Sequence, residues 1–314
     1  MSWIADLAPG FSGWRTWQAT PNTSLEVFCC RGLSAGPLAL VTAGVHGDEY
    51  EGPAAIFSLA QLLASDLVTA DGVRGTIIAV PVANPAAFAA GTRMHPEDGR
   101  NLARTFPGST KGGPSERLAA AIFAELAAPA DYLIDLHSGG VEYIFLPVAG
   151  FYGEAESGNP SFQAARIFGL RALWQLPETD GVLSCEAWRR GKIAIGTEYL
   201  GAGQLSADGV RDYRKGAAAC LAHWGMLTSA PQVPNTPDVF AGDWQVASAS
   251  GIFTARCGIG EAVTKGTMLA LIAGLRGQVL QEFLSPCDGV VLGLRSKAYI
   301  RETNWAVLIG KRVA

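Results

Sequence analysis

Two of the four histidines in this 314-residue chain stand where chemistry is readily built. The stretch "VTAGVHGDEYEGPAA", residues 41–55, joins an apolar run to an alanine-rich one through His46, Gly47, Asp48 and Glu49. A histidine and a carboxylate three residues apart in a tight glycine-containing turn can both face one metal ion. The pair alone is weak, because Asp48, Glu49 or Glu51 can equally stabilise the N-terminus of a following helix. A second stretch, "DYLIDLHSGG", ends another apolar run in His137, followed by Ser138, Gly139 and Gly140. Together His46, Glu49 and His137 form a His2Glu set, the pattern of a catalytic zinc with an open fourth position, and a single Zn2+ is the expected cofactor. Asp135 falls on the same side of its strand as His137 by the two-residue period. It either orients that ligand from behind or is a buried polar residue or a surface acid.

A catalytic metal of this kind calls for a general base and a partner for the developing oxyanion. Glu198 closes the apolar run of "KIAIGTEYLGAG", and the glycine-rich chain after it lets its carboxylate reach the same place. For the oxyanion, the loop "NPAAFAAGTRMHPEDGRNLARTFPG" supplies Arg93 and Arg104. Such arginines polarise a carbonyl or hold a carboxylate in a bidentate fork. The plainer alternative is that they are solvated or pair with nearby acids such as Asp98.

These residues need a frame. From about Glu26 to Gly225 short apolar runs alternate with longer segments of helical period. The predicted strands are "LEVFCC", "PLALVTAGV", "GTIIAVPVAN", "DYLIDLH" and "KIAIGTEYL". The predicted helices are "EGPAAIFSLAQLLAS", "GPSERLAAAIFAELAAP", a third starting at "NPSFQAARIF" with Asn159 as cap and Pro160 in first position, and "GVRDYRKGAAACLAHWGML". That order implies an α/β fold, a mixed central sheet flanked by helices, with His46, His137 and Glu198 at the carboxyl ends of its strands, where open sheets bind ligands.

The composition changes at "TSAPQVPNTPD", a proline-rich linker. The expected division is a catalytic domain over residues 1–230 and a small all-β barrel or sandwich over residues 231–314. The phrases "AVTKGTMLALI" and "SPCDGVV" look like the half-barrels of biotinyl and lipoyl carrier domains. However, "AGLRGQVLQEFL" between them holds no lysine, so Lys265 and Lys297 are read as solvated turn residues and not as a swinging arm.

Hydrophobic residues make up 49% of the chain and charged ones 17%, which suits a compact fold and argues against disorder. A net charge of -4 without Lys/Arg clusters gives no reason to expect nucleic acid or an anionic membrane as partner. The six cysteines show no CxxC spacing and are read as reduced thiols. The start "MSWIADLAPGFSGWRTW" does not read as a signal peptide, and no run approaches the about 20 apolar residues of a membrane span. The expected compartment is the cytoplasm.

In order, "GVHGDEYEG", the Arg93–Arg104 loop, "DLHSGG" and "GTEYLG" resemble the succinylglutamate desuccinylase/aspartoacylase family, which belongs with the zinc carboxypeptidases. The resemblance implies a zinc carboxypeptidase-like fold, zinc on His46, Glu49 and His137, and Glu198 as the base that activates water and later protonates the leaving amine. It also implies Arg93 as oxyanion stabiliser, with Asn101 and Arg104 in the loop that holds a substrate carboxylate. The implied activity is hydrolysis of the amide of a small N-acyl amino acid. One departure stands out: the family's loop reads D/N-L-N-R, whereas this chain reads "NLAR", with Ala103 where an asparagine would donate a hydrogen bond.

Other residues are expected to stay outside the chemistry: His95 as a solvated loop histidine, His223 near a helix C-terminus, Trp188 in edge packing, and Arg189 with Arg190 as a surface pair. Two competing functions remain open at this level, a carboxypeptidase on short peptides and a non-catalytic scaffold that keeps the fold. Self-association through an edge or apolar face of the β region is a further expectation.

Overall fold

The computed structural model describes residues 3–65, 72–228 and 237–313. The expected domain boundary at 230/231 and most of the proline-rich linker lie outside the described residues.

The N-terminal strands are β1 (Ser12–Thr20), β2 (Thr23–Arg31), β3 (Ser34–Thr42), β4 (Arg74–Val80), β5 (Tyr132–Leu136), β6 (Tyr143–Phe151), β7 (Ala172–Gln175) and β8 (Ile193–Gly201). Between them lie helices α1 (Glu51–Leu63), α2 (Pro85–Ala90), α3 (Pro114–Ile122), α4 (Pro160–Phe168) and α5 (Leu183–Trp188), and α6 (Ala207–His223) follows β8. β9 (Asp238–Ala241), β10 (Trp244–Val246), β11 (Gly251–Ala255), β12 (Ala262–Val263), β13 (Met268–Ala273), β14 (Val279–Leu284), β15 (Gly289–Arg295), β16 (Tyr299–Ile300) and β17 (Trp305–Arg312) complete the chain.

The sheet order β1-β2-β4-β3-β5-β8-β6-β7 places the parallel strands β4, β3, β5 and β8 side by side. Successive residues in these strands serve opposite faces. Val41, Ile77, Ile134 and Ile195 pack under α1, α4 and α6, whereas Leu40, Ile78, Leu133 and Ala194 pack under α3 and α5. Both faces are covered, which is why these runs read as continuously apolar. Each buried aliphatic side chain contributes roughly 1.5–3 kcal/mol.

The cap expected for α4 is present: Asn159 accepts hydrogen bonds from the backbone N–H groups of Ser161 and Phe162, with Pro160 in the first turn. Sequence reasoning assigned no strand to β1, β6 or β7. In "YIFLPVAGF", Pro147 and Gly150 interrupt the run, and the pairing of β6 with β8 shifts register between Phe145 and Val148. Such a bulge accommodates a residue that a regular ladder would exclude.

The C-terminal region is strand-rich, and its strands continue the first sheet. β9 pairs parallel to β7, β17 pairs with β9 and β15, and β15 pairs back onto β6. β6, β7, β9, β17 and β15 thereby close a ring of pairings. A second sheet, β14-β13-β11-β16, packs Phe253, Leu269, Ile272 and Phe283 against Val291, Val307 and Ile309. Among the described residues no helix is long and apolar enough to cross a membrane.

Candidate metal centre and active site

The parallel order of β3, β5 and β8 brings three carboxyl-terminal ends to one edge, and the predicted residues sit there. His46 and Glu49 occupy the turn between β3 and α1, His137 follows β5, and Glu198 lies near the end of β8. The turn is tight because glycine allows it: a Cβ on Gly47 would lie 2.0 Å from the backbone of Ala87. Gly140, at φ +56°, lets the chain after His137 pass Asp48, whose carboxylate accepts the N–H of Val141 at 2.9 Å.

Glu49 is the hub. Its Oε1 lies 2.7 Å from His46 Nδ1 and accepts from Arg93 at 3.2 Å. Its Oε2 lies 3.0 Å from His137 Nδ1 and accepts the N–H of Ser138 at 3.1 Å. Burial works to raise the Glu49 carboxyl, but His46 and His137 outweigh it and hold the group well below the usual carboxylate range. Burial, with Arg93 beside it, lowers His46 to about 4. Burial also opposes a charge on His137, yet Asp135 and Glu49 on either side raise it.

Each imidazole is tied behind as well. His46 Nε2 donates at 3.0 Å to Asn101 Oδ1, which also accepts the N–H of Ala103. His137 Nε2 donates to Asp135 at 3.1 Å, and Asp135 accepts from Thr42 Oγ1 at 2.7 Å. Asp135 is thus neither a surface acid nor an idle buried one. Tyr213 donates to the His137 carbonyl.

This donor set fits a divalent cation. Ligand atoms of His46, Glu49 and His137 lie within 4.8 Å of one another and are buried or nearly so. A neutral His46 with its Nε2–H committed to Asn101 turns an Nδ1 lone pair toward a carboxylate oxygen, so two acceptors face each other as they do around a shared cation. The triad can hold a metal ion.

Glu198 lines the cleft that also exposes His46 and His137. Its Oε2 is enclosed and, among the described residues, has no hydrogen-bond partner. Burial, reinforced by Glu49, raises its carboxyl well above the ordinary range. Just beyond it Leu200 and Ala202 take positive φ values of 36° and 55°, backbone strain of the kind found around functional sites. Arg104 also lines the cleft, donates to the Ala103 carbonyl at 2.7 Å and stands 5.7 Å from the ring centre of Trp305. Burial and the neighbouring Arg93 hold its guanidinium below the usual range.

Residues 35–224 match the model of the Succinylglutamate desuccinylase/Aspartoacylase catalytic domain. The chain belongs to this family. It is 30% identical over 289 residues to N-alpha-acetyl-L-2,4-diaminobutyric acid deacetylase of Halomonas elongata, covering 88% of this chain and 83% of that protein. The product-bound ectoine utilization protein EutE (DoeB) of Ruegeria pomeroyi superposes with a TM-score of 0.85 at 28% identity, over 97% of this chain and 96% of the other. The succinylglutamate desuccinylase/aspartoacylase of Rhodobacter sphaeroides gives 0.85 at 25% identity, over 98% and 97%. The mixed α/β fold with its strand-rich C-terminal region is therefore the fold of these succinylglutamate desuccinylase/aspartoacylase structures.

One expectation needs correction, and two others gain detail. Asn101 has a further part to play: its amide oxygen accepts from His46 and Ala103, while its amide N–H2 is left to face a substrate. His95 is not solvated: it is 4% exposed and accepts the N–H of Glu97, outside the cleft. Arg189 and Arg190 are exposed, as expected, and are ion-paired there. Arg189 binds Glu178, Asp180 and Glu186, and Arg190 binds Glu186, which fastens residues 178–180 beside the cleft. Trp188 stacks on Tyr152 at 5.4 Å, and His223 is exposed in the last turn of α6, as expected.

Sequence reasoning missed the apolar wall of this desuccinylase/aspartoacylase-family cleft. Phe145, Trp174, Trp244 and Trp305 line it, the last two from the C-terminal strands. Trp244 and Trp305 stack at 5.3 Å, and Phe145 meets Trp244 at 5.5 Å. The tryptophans are scattered through the sequence, and strand pairing unites them: β7 lies between β6 and β9, β15 pairs back onto β6, and β10 pairs with β17.

Proposed function

We propose that this chain is a zinc-dependent deacylase that hydrolyses the amide bond of a small N-acyl amino acid, with kinship to the zinc carboxypeptidases and residence in the cytoplasm. The observation that carries the reading is the convergence of His46, Glu49 and His137 on a cleft that Glu198 also lines, with an enclosed carboxylate oxygen that has no hydrogen-bond partner among the described residues. Family membership and the deacetylase named among the relatives support the same chemistry.

Zinc held by His46, Glu49 and His137 would supply Lewis-acid polarisation of the amide carbonyl and of water. Asp135 and Asn101 fix the two imidazoles so that their Nδ1 atoms keep facing Glu49. Glu198 takes a proton from the attacking water as its oxygen bonds to the acyl carbon. The raised pKa set by its enclosure suits a group that must accept a proton and then release it. Arg93 turns its guanidinium to the acyl oxygen as negative charge develops there. When the carbon–nitrogen bond breaks, Glu198 returns the proton to the leaving nitrogen, giving a free amine and a carboxylate. Arg104 holds the carboxylate of the amino acid.

Glu198→Gln keeps the shape and removes the base. Zinc content should remain stoichiometric by mass spectrometry while kcat falls by about 100-fold or more, the range typical of acid–base groups. Near-normal turnover in that variant would take Glu198 out of the base role. Release of free acyl acid from N-acyl amino acids, without release of residues from blocked dipeptides, separates this reading from a carboxypeptidase.

A further inference from the structure

Two of the relatives named above, the diaminobutyric acid deacetylase and the succinylglutamate desuccinylase/aspartoacylase, are named for acyl derivatives of polar amino acids, yet the cleft of this chain is dressed otherwise. Away from the metal ligands, Phe145, Trp174, Leu176, Val182, Trp244 and Trp305 line a cleft of about 150 Å3 that opens to solvent. Phe145 and Trp174 are buried with ring centres 6.4 Å apart, and Phe145 joins Trp174 to the stacked Trp244–Trp305 pair. This is a continuous aromatic surface with room for another ring.

Charge is sparse on that surface. Apart from the two histidines, the cationic side chains lining the cleft are Arg93 and Arg104. Arg93 is ion-paired to Glu49. Arg104 has no carboxylate within ion-pair distance among the described residues, and its hydrogen bond to the Ala103 carbonyl leaves further N–H groups to offer. Among the described residues the cleft therefore has one free cation for a substrate carboxylate and none for a second. Ala103, 3% exposed, adds a methyl group beside Arg104 where an asparagine would add an amide. Asp243 lies at the exposed rim, where water screens it, and is a poor anchor for a substrate amine.

Arg104 also fixes which part of the substrate is apolar. It stands over Trp305, so a carboxylate held by Arg104 brings the substituent on its own α-carbon against the Trp305–Trp244 wall. That substituent is the amino-acid side chain and not the acyl group. We infer that the preferred substrates are N-acyl derivatives of large apolar amino acids, aromatic ones foremost, bearing a single carboxylate. The inference rests on the deacylase reading above for the reaction, and on the cleft alone for the selectivity.

Two measurements on the zinc-loaded protein test it. First, kcat/KM for N-acetyl-L-phenylalanine should exceed that for N-acetyl-L-aspartate and N-α-acetyl-L-2,4-diaminobutyrate by at least about ten-fold, the scale of discrimination an apolar pocket delivers. Second, L-phenylalanine should perturb the tryptophan emission of the cleft with a Kd at least about ten-fold below that of L-aspartate. Faster hydrolysis of the aspartate or diaminobutyrate derivative, or tighter binding of aspartate than of phenylalanine, overturns the inference and leaves the deacylase reading intact. Selective binding of phenylalanine with no hydrolysis of any N-acyl amino acid upholds the pocket and overturns the reaction. Trp305→Ala should lower the ratio of kcat/KM for N-acetylphenylalanine over N-acetylglycine by about ten-fold; an unchanged ratio also overturns the inference. Trp244→Ala tests the same wall should the first variant not fold.

Discussion

The cleft has two ends built in different ways. At the polar end, neighbouring strands of one parallel sheet deliver His46, Glu49, His137 and Glu198, and both carboxylate oxygens of Glu49 are tied to neighbouring groups. At the apolar end, β6 and β7 meet strands from the far end of the chain, and the contacts are rings on rings. The difference separates the chemistry from the choice of substrate. The polar end tolerates little change because each group positions the next, whereas the aromatic end can change residue by residue without disturbing the donors.

That division can be broken by substitutions that affect the wrong quantity. Arg93→Ala should reduce kcat by about 100-fold or more on every substrate alike, the effect of losing one oxyanion donor. A loss confined to KM would place Arg93 with substrate selection instead. Asn101→Ala frees the His46 ring and should weaken zinc affinity by about 10- to 100-fold, measured by competition with a chromophoric chelator. Unchanged affinity would show that Asn101 does not position the His46 ring. Trp174→Ala should leave zinc affinity untouched and raise KM for apolar substrates about ten-fold. A change in metal affinity there would show that the two ends are coupled.

The same division explains what could be read from the sequence. The ligands were legible because a parallel sheet places the ends of successive apolar runs on one edge, so a histidine closing "DYLIDLH" and one just beyond "LALVT" must approach each other. Glu198 followed by the same reasoning one strand further along. Asn101 was found, but only half of its surroundings: nothing in "GRNLAR" reveals that its amide oxygen turns back 55 residues to His46. The orienting role of Asp135 was one of the open alternatives, and Thr42 on the adjacent strand is what holds it in place. The aromatic wall was out of reach, because Trp174, Trp244 and Trp305 become neighbours only through non-local strand pairing. Strands β1, β6 and β7 escaped for local reasons: β1 is mostly exposed and sets Trp14 and Trp17 off the two-residue period, β6 carries a proline and a bulge, and β7 spans four residues.

The claim on which the rest depends is that His46, Glu49 and His137 share one cation. Calorimetric titration of chelator-stripped protein with zinc tests it, run on the wild type and on His137→Ala with its fold checked by circular dichroism. The account predicts one tight site per chain in the wild type and its loss in the folded variant. Zinc bound equally well by both, or by neither, would contradict it.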